Sequence, residues 1–178
     1  MKKYKCGLYV GRFQPLHIGH TYIIGKMFDE CEVVIVAVGS AQESGTQRNP
    51  FDFATRGRWI VEAFWAHKNN ILHVVPIPDR EHPSNDASWG DYLLNKVWSA
   101  TGMTPDVIYE GEEDERAHWY DNHNISIVSI ARSIMPISAT EVRQALLDGD
   151  EDKFRMRTPI SVSIHYEKLR EEILKCYS

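Results

Sequence analysis

Disulfide scaffolds and cysteine-bound metal centres are the first classes this sequence excludes. It has only three cysteines, Cys6, Cys31 and Cys176, odd in number and far apart, which suits neither a disulfide framework nor a Cys-based metal site. No apolar run reaches the roughly 20 residues that a membrane span requires, so no membrane partner is expected. The opening Met-Lys-Lys-Tyr-Lys-Cys-Gly is basic but is followed by no long apolar region or small-residue cleavage site. It is not a secretory signal, and a cytoplasmic location is expected. Lys and Arg number 20 against 25 Asp and Glu, for a net charge of −5, which argues against nucleic-acid binding through a broad basic surface. Any anion site must be local, built by a few placed Arg and His side chains. Internal repeats, linkers and low-complexity segments are also missing.

What is present is ordinary for one globular domain: 178 residues, 43% apolar and 25% charged, enough for a full core. Apolar runs predict strands at Cys6–Val10, Glu32–Gly39, Ile71–Pro76, Asp106–Tyr109 and Ile125–Ile130. The second is a continuous β-branched run, as in a parallel sheet covered on both faces. Helical patterns fall between them at His17–Glu30, Thr55–His67, Ser88–Ala100 and Glu112–Asp121. The Thr55 helix is expected to bury Ile60, Val61, Phe64 and Trp65. Ser138, with Glu141 three residues on, predicts a capping box that starts a helix ending near Asp148 at Gly149. A last helix is expected from Pro159 to Cys176, with Ile160, Ile164, Leu169 and Ile173 as its apolar side. The fold class is therefore α/β: a single Rossmann-like domain over 1–178, with a mostly parallel sheet of about five strands and helices on both faces. Its core covers about 5–148, followed by a helical C-terminal piece over about 150–178.

The chemistry concentrates between the first strand and first helix, at Gly11-Arg12-Phe13-Gln14-Pro15-Leu16-His17-Ile18-Gly19-His20. Gly at the strand exit and Pro before the helix mark a shaped connection. His17 and His20 share one side of the first helical turn, where unpaired backbone N–H groups and the positive dipole end favour an anion. Gly19 lets a ligand approach the backbone. Histidines at a helix start also serve simply as packing. Metal binding is the weaker reading, because the spacing is three residues and no third ligand is evident.

This stretch resembles the signature G-R-F-Q-P-x-H-x-G-H of the H-x-G-H nucleotidyltransferase superfamily. Ile137-Ser138-Ala139-Thr140-Glu141-Val142-Arg143 resembles the second signature of that superfamily, I-S-x-T-x-x-R. Both occur in the right order, separated by most of the chain. Two loop blocks narrow the resemblance. Gly39-Ser40-Ala41-Gln42-Glu43-Ser44 with Arg48-Asn49-Pro50-Phe51 is similar to archaeal-type nicotinamide mononucleotide (NMN) adenylyltransferases. Asn85-Asp86-Ala87-Ser88-Trp89 resembles the N-D-x-x-W segment of that type and of its relatives fused to a Nudix domain. The residue count leaves no room for a Nudix domain, so that second activity is expected to be absent. Ala139 departs from the many relatives with Ser or Gly there, removing a hydroxyl.

The resemblance implies adenylyl transfer from ATP to NMN, giving NAD and pyrophosphate. Such a transfer needs no protein nucleophile, because the NMN phosphate attacks the α-phosphorus directly and the protein positions charge. The implied catalytic residues are His17, His20, Arg48 and Arg143. ATP binding falls to Gly11, Arg12, Phe13, His17, Gly19, His20, Ile137, Ser138, Thr140 and Arg143. NMN binding falls to Gly39, Ser40, Asn85, Asp86 and Trp89, with the Trp89 indole stacked on the nicotinamide. Read without the resemblance, Arg143 is a surface arginine paired with Glu141 or Asp148, Arg48 a solvated loop residue and Trp89 a core anchor. No protein metal site is expected; Mg2+ is expected through the ATP phosphates. The acidic run Glu110, Glu112, Glu113, Asp114 and Glu115 reads as a solvated face. Relatives of this type often assemble, so a homo-oligomer is compatible, though no residue pattern marks an interface. Two other readings stay open: a superfamily member with a different phosphorylated acceptor, and a nucleotide-sensing module without catalysis.

Overall fold

β-branched and aliphatic residues in the interior runs pair into five parallel strands. A computed structural model describes residues 1–67, 71–80, 86–112 and 117–178. The strands are β1 (Tyr4–Gly11), β2 (Cys31–Gly39), β3 (Ile71–Ile77), β4 (Val107–Gly111) and β5 (Ser126–Ile130), in spatial order β3-β2-β1-β4-β5. Every neighbouring pair is parallel. From β1 the chain runs outward to β2 and β3, then returns to the other side of β1 for β4 and β5. The strand order thus reverses between β1 and β4, and ligands of open α/β sheets bind beyond the carboxyl ends at such a point.

Alternation along the strands feeds two cores, one on each face of the sheet. Tyr9, Val34, Val36, Val38 and Tyr109 meet α1 (Ile18–Glu30), α2 (Phe53–Ala63) and α4 (Ala139–Asp148) through Ile24, Met27, Trp59, Ile60, Val142 and Leu146. Leu8, Val10, Ile35, Ala37 and Ile108 meet α3 (Asp86–Thr101) through Leu93, Leu94 and Val97. The face changes because right-handed crossovers travelling in opposite directions from β1 must lie on opposite sides. Three further helices, α5 (Glu151–Arg157), α6 (Ile160–Ser163) and α7 (Tyr166–Lys175), join the first core through Phe154, Val162, Leu169 and Ile173. No helix among the described residues is long and apolar enough to cross a membrane.

Four expectations need correction. The described part of Glu112–Asp121 forms only a short 3-10 turn, Ala117–Tyr120, folded against α3; Glu113, Asp114 and Glu115 lie outside the described residues. In α2 the buried stripe runs through Arg56, Trp59 and Ile60, and Val61 and Trp65 face outward, 50% and 70% exposed. The expected Pro159–Cys176 helix is broken in two. Ser161, Val162 and Ser163 are buried in succession, which a continuous helical stripe cannot achieve, and Ile160 and Ile164 turn outward. Finally, α5 had no expected counterpart. Its start is capped by the Asp150 carboxylate, which accepts the Lys153 N–H at 3.0 Å, with acidic residues in the first turn and Arg155 and Arg157 in the last.

Candidate active site

α1 begins at His17, its N-cap, and the sequence there builds two stacked imidazoles. His17 and His20 lie with ring centroids 3.6 Å apart and 24° between planes. Gly19 is what lets them stack closely: a Cβ at that position would stand 3.1 Å from the His17 ring. The His17 backbone N–H donates to Nδ1 of His20 at 3.2 Å, so in the neutral ring the His20 proton sits on Nε2. Phe13 supports this ring from below at 4.8 Å and is itself buried against Tyr9. A Cβ at Gly11 would strike the Phe13 ring at 3.0 Å.

Both histidines are neutral at neutral pH. Burial pushes His17 down from 6.5 to about 4. Burial and, secondly, the neighbouring His17 hold His20 well below its ordinary value. Nδ1 of His17 is buried with no hydrogen-bond partner. As pH falls from 6.5 toward about 4, the unfolded chain takes up a proton at His17 that the native chain refuses, so stability falls through that window. The His17 contribution alone predicts a loss of about 2 kcal/mol between about pH 7 and about pH 5. Urea unfolding at the two pH values measures it, and an unchanged midpoint would contradict the neutral, buried assignment.

The second signature arrives from α4. Ser138 caps that helix in a full capping box: its Oγ accepts the Glu141 N–H at 3.2 Å, and the Glu141 carboxylate accepts the Ser138 N–H and hydroxyl at 2.9 and 3.0 Å. The Ser138 donors expected for a phosphate are thus already directed to Glu141. Arg143 donates to the Gln14 carbonyl at 2.7 Å and to Thr140 Oγ1 at 3.3 Å. The alternative pairing with Glu141 or Asp148 is not formed, since Glu141 turns to Ser138 and Arg157, and Asp148 accepts from Gln144. His17, Gly19, His20, Ile137 and Ser138 line one cleft of about 200 Å3 at the carboxyl edge of the sheet. Tyr9, Tyr22, Glu112 and Met135 are among the other residues of its wall; their sequence carries no signal for this, because they come from β1, α1 and the β4 and β5 exits.

The remaining expected site residues are less convergent. Arg48 is exposed on the loop between β2 and α2, and Arg12 is exposed beyond β1. Gly39 ends β2, and Ser40 follows it with a positive φ of 47°. Trp89 is half-buried and stacked on Trp119 at 5.0 Å, with Tyr92 edge-on at 5.9 Å. Asn85 and the side chain of Asp86 lie outside the described residues.

Two residues near the site went unassigned from the sequence. Gln14 is buried and clamps the Phe51 main chain, donating to its carbonyl at 2.8 Å and accepting its N–H at 3.0 Å. Arg56 is fully buried and donates to four carbonyls: Arg12 at 2.8 Å, Gly39 at 2.9 Å, Ser40 at 3.1 Å and Asp52 at 3.2 Å. Burial lowers it to about 10, which leaves it charged at neutral pH. The available signal was an arginine in helical register with Trp59 and Ile60, a charge set in an apolar stripe.

Known proteins share this arrangement of sequence and fold. The cytidylyltransferase-like family matches residues 8–145. A nicotinamide-nucleotide adenylyltransferase of Halobacterium salinarum is 40% identical over 149 residues, covering 82% of this chain and 77% of that one. One from Pyrococcus furiosus is 29% identical over 169 residues, 93% of this chain and 85% of that one. A bifunctional NMN adenylyltransferase/ADP ribose pyrophosphatase from Francisella tularensis superposes with a TM-score of 0.72 at 21% identity, over 94% of this chain and 49% of that chain. The chain belongs to the cytidylyltransferase-like family, alongside the nicotinamide-nucleotide adenylyltransferases it resembles.

Proposed function

We propose that this protein transfers the adenylyl group of ATP to the 5′-phosphate of NMN, forming NAD and releasing pyrophosphate. The observation that carries the reading is the meeting of the two signatures: the His17–His20 pair and the Ile137–Ser138 start of α4 face one cleft. The adenylyltransferases of H. salinarum and P. furiosus support the choice of acceptor.

In this reaction an NMN phosphate oxygen forms the new P–O bond to the ATP α-phosphorus, and the α–β bridging oxygen leaves with pyrophosphate. The protein contributes donors where charge grows. Nε2–H of His20 and the first-turn amides of α1 serve the phosphates, as do the amides of Ala139 and Thr140 at the head of α4. Arg143 spends part of its fork on Gln14 and Thr140, which aims the rest of its planar fork. Gly11, Arg12, Phe13 and Gly19 shape this side, with Phe13 acting from beneath His20. Arg48 reaches the triphosphate only if its loop carries it inward. The acceptor is assigned to Gly39, Ser40, Asn85, Asp86 and Trp89, with the Trp89 indole stacked on the nicotinamide.

No group of three His, Cys, Asp or Glu among the described residues is arranged to hold a metal ion. ATP enters as its magnesium complex, the ion held mainly by the phosphates.

Purified protein supplied with ATP, magnesium and NMN should form NAD and pyrophosphate, resolved by chromatography. Nicotinate mononucleotide run alongside sets the preference between the amide and the acid. Turnover with FMN, phosphopantetheine or glycerol phosphate in place of either mononucleotide would overturn the assignment.

A further inference from the structure

We infer that Arg56 is a positioning residue for adenylyl transfer, holding the two strand-exit turns that set the donors of the active site. The inference rests on the function proposed above, but its geometry stands independently. A buried cation is costly unless its partners are well placed. None of the four hydrogen bonds of Arg56 ends on a carboxylate; all end on main-chain carbonyls. An apolar residue would fill the same space beneath α2 without that cost. What a guanidinium does and an aliphatic chain cannot is hold carbonyls from different segments in one rigid plane.

The bonded segments are the ones that shape the site. Arg12 precedes Phe13 at the exit of β1, and Gly39 and Ser40 form the exit of β2. Phe13 (φ 52°) and Ser40 (φ 47°) are the non-glycine residues with positive φ among those described, and such backbone persists only where its surroundings enforce it. One Nη1 atom donates to both Arg12 and Gly39, so a single nitrogen locks β1's exit to β2's. From Phe13 the constraint passes directly to the His20 ring resting on it. From Gln14, next in the chain, it passes to Arg143, whose Nη1 donates to that residue's carbonyl. Arg56 touches neither histidine nor Arg143, yet it braces the backbone on which both depend.

The test compares Arg56→Met with the wild type by steady-state kinetics and by hydrogen exchange read by mass spectrometry. A shift of about 1 Å in catalytic geometry costs roughly a hundredfold in rate. Turnover per folded molecule should therefore fall about a hundredfold, with KM for ATP and NMN changed less than about threefold. Exchange should quicken in peptides covering 11–14 and 39–42 and stay unchanged in 31–37 of β2 and in α7. In Arg56→Ala, added guanidinium ion should restore part of the lost kcat, which sodium ion should not. A role in stability alone would lower the melting temperature and leave kcat per folded molecule intact; that result, with exchange unchanged at both turns, overturns the inference. If Arg56→Met does not fold, Arg56→Lys decides in the same way, since it keeps the charge and loses the planar fork. If the wild type makes no NAD, the function proposed above has failed and the exchange data alone judge the brace: faster at both turns upholds it, unchanged overturns it.

Discussion

Alanine at His20 should lower kcat by about a hundred- to a thousandfold, the range for removing one donor to a developing transition-state charge, and should leave both KM values near those of the wild type. The ring has two jobs in the structure. Nδ1 accepts the His17 N–H and so helps start α1, and the ring lines the cleft, with Nε2–H as the donor assigned to the phosphates. His20→Asn separates them. Its amide oxygen can still accept the His17 N–H while the Nε2–H donor is gone, so the melting temperature should stay near the wild-type value and the kcat loss should match that of His20→Ala. Recovery of activity in the asparagine variant would mean that helix capping, and not the donor, is what catalysis needs. Because burial keeps His20 neutral, the effect is one of a directed hydrogen bond and not of a resident positive charge.

Gly90→Ala should produce the largest loss of stability among single-methyl substitutions. A Cβ there would stand 2.0 Å from the Trp119 carbonyl oxygen and 2.9 Å from its carbon. The obstacle is backbone, so relief requires α3 and the Ala117–Tyr120 turn to separate. Overpacking of this kind costs about 3 kcal/mol, or roughly 6–12 °C in melting temperature for a chain of this size. The separation also pulls Trp119 off Trp89, so the indole fluorescence should shift and KM for NMN should rise more than KM for ATP. Wild-type stability in Gly90→Ala would show that the contact is not held in solution. A uniform rise in both KM values would return Trp89 to core packing.

Much of this protein can be read one residue at a time. The β-branched run of β2 is buried on both faces because its side chains alternate into two cores. The Ser138 capping box forms at the expected residues, and Gly149 ends α4 with a φ of 74°, as a left-handed stop should. Misreadings occurred where tertiary contacts outweigh periodicity. The apolar pattern of 159–176 fits one helix, but Ser161 turns inward to bond the Trp59 carbonyl at 3.1 Å, and the helix breaks. Trp65 has the right spacing for the core of α2, yet the helix ends at Ala63 and the indole points outward.

For the candidate active site, the two signatures, the anion-favouring start of α1 and the order of strands and helices are legible in the residues alone. Those follow from local chemistry: caps, glycines, and the side-chain periods of helix and strand. How they combine depends on packing between segments distant in the chain. Burial of the stacked imidazoles, which no spacing predicts, makes both histidines neutral. The contact between Arg143 and the Gln14 carbonyl joins residues far apart in the chain and exists only once α4 has come against the connection between β1 and α1. The same holds for Arg56, whose meaning depends on the exits of β1 and β2 meeting around one buried guanidinium.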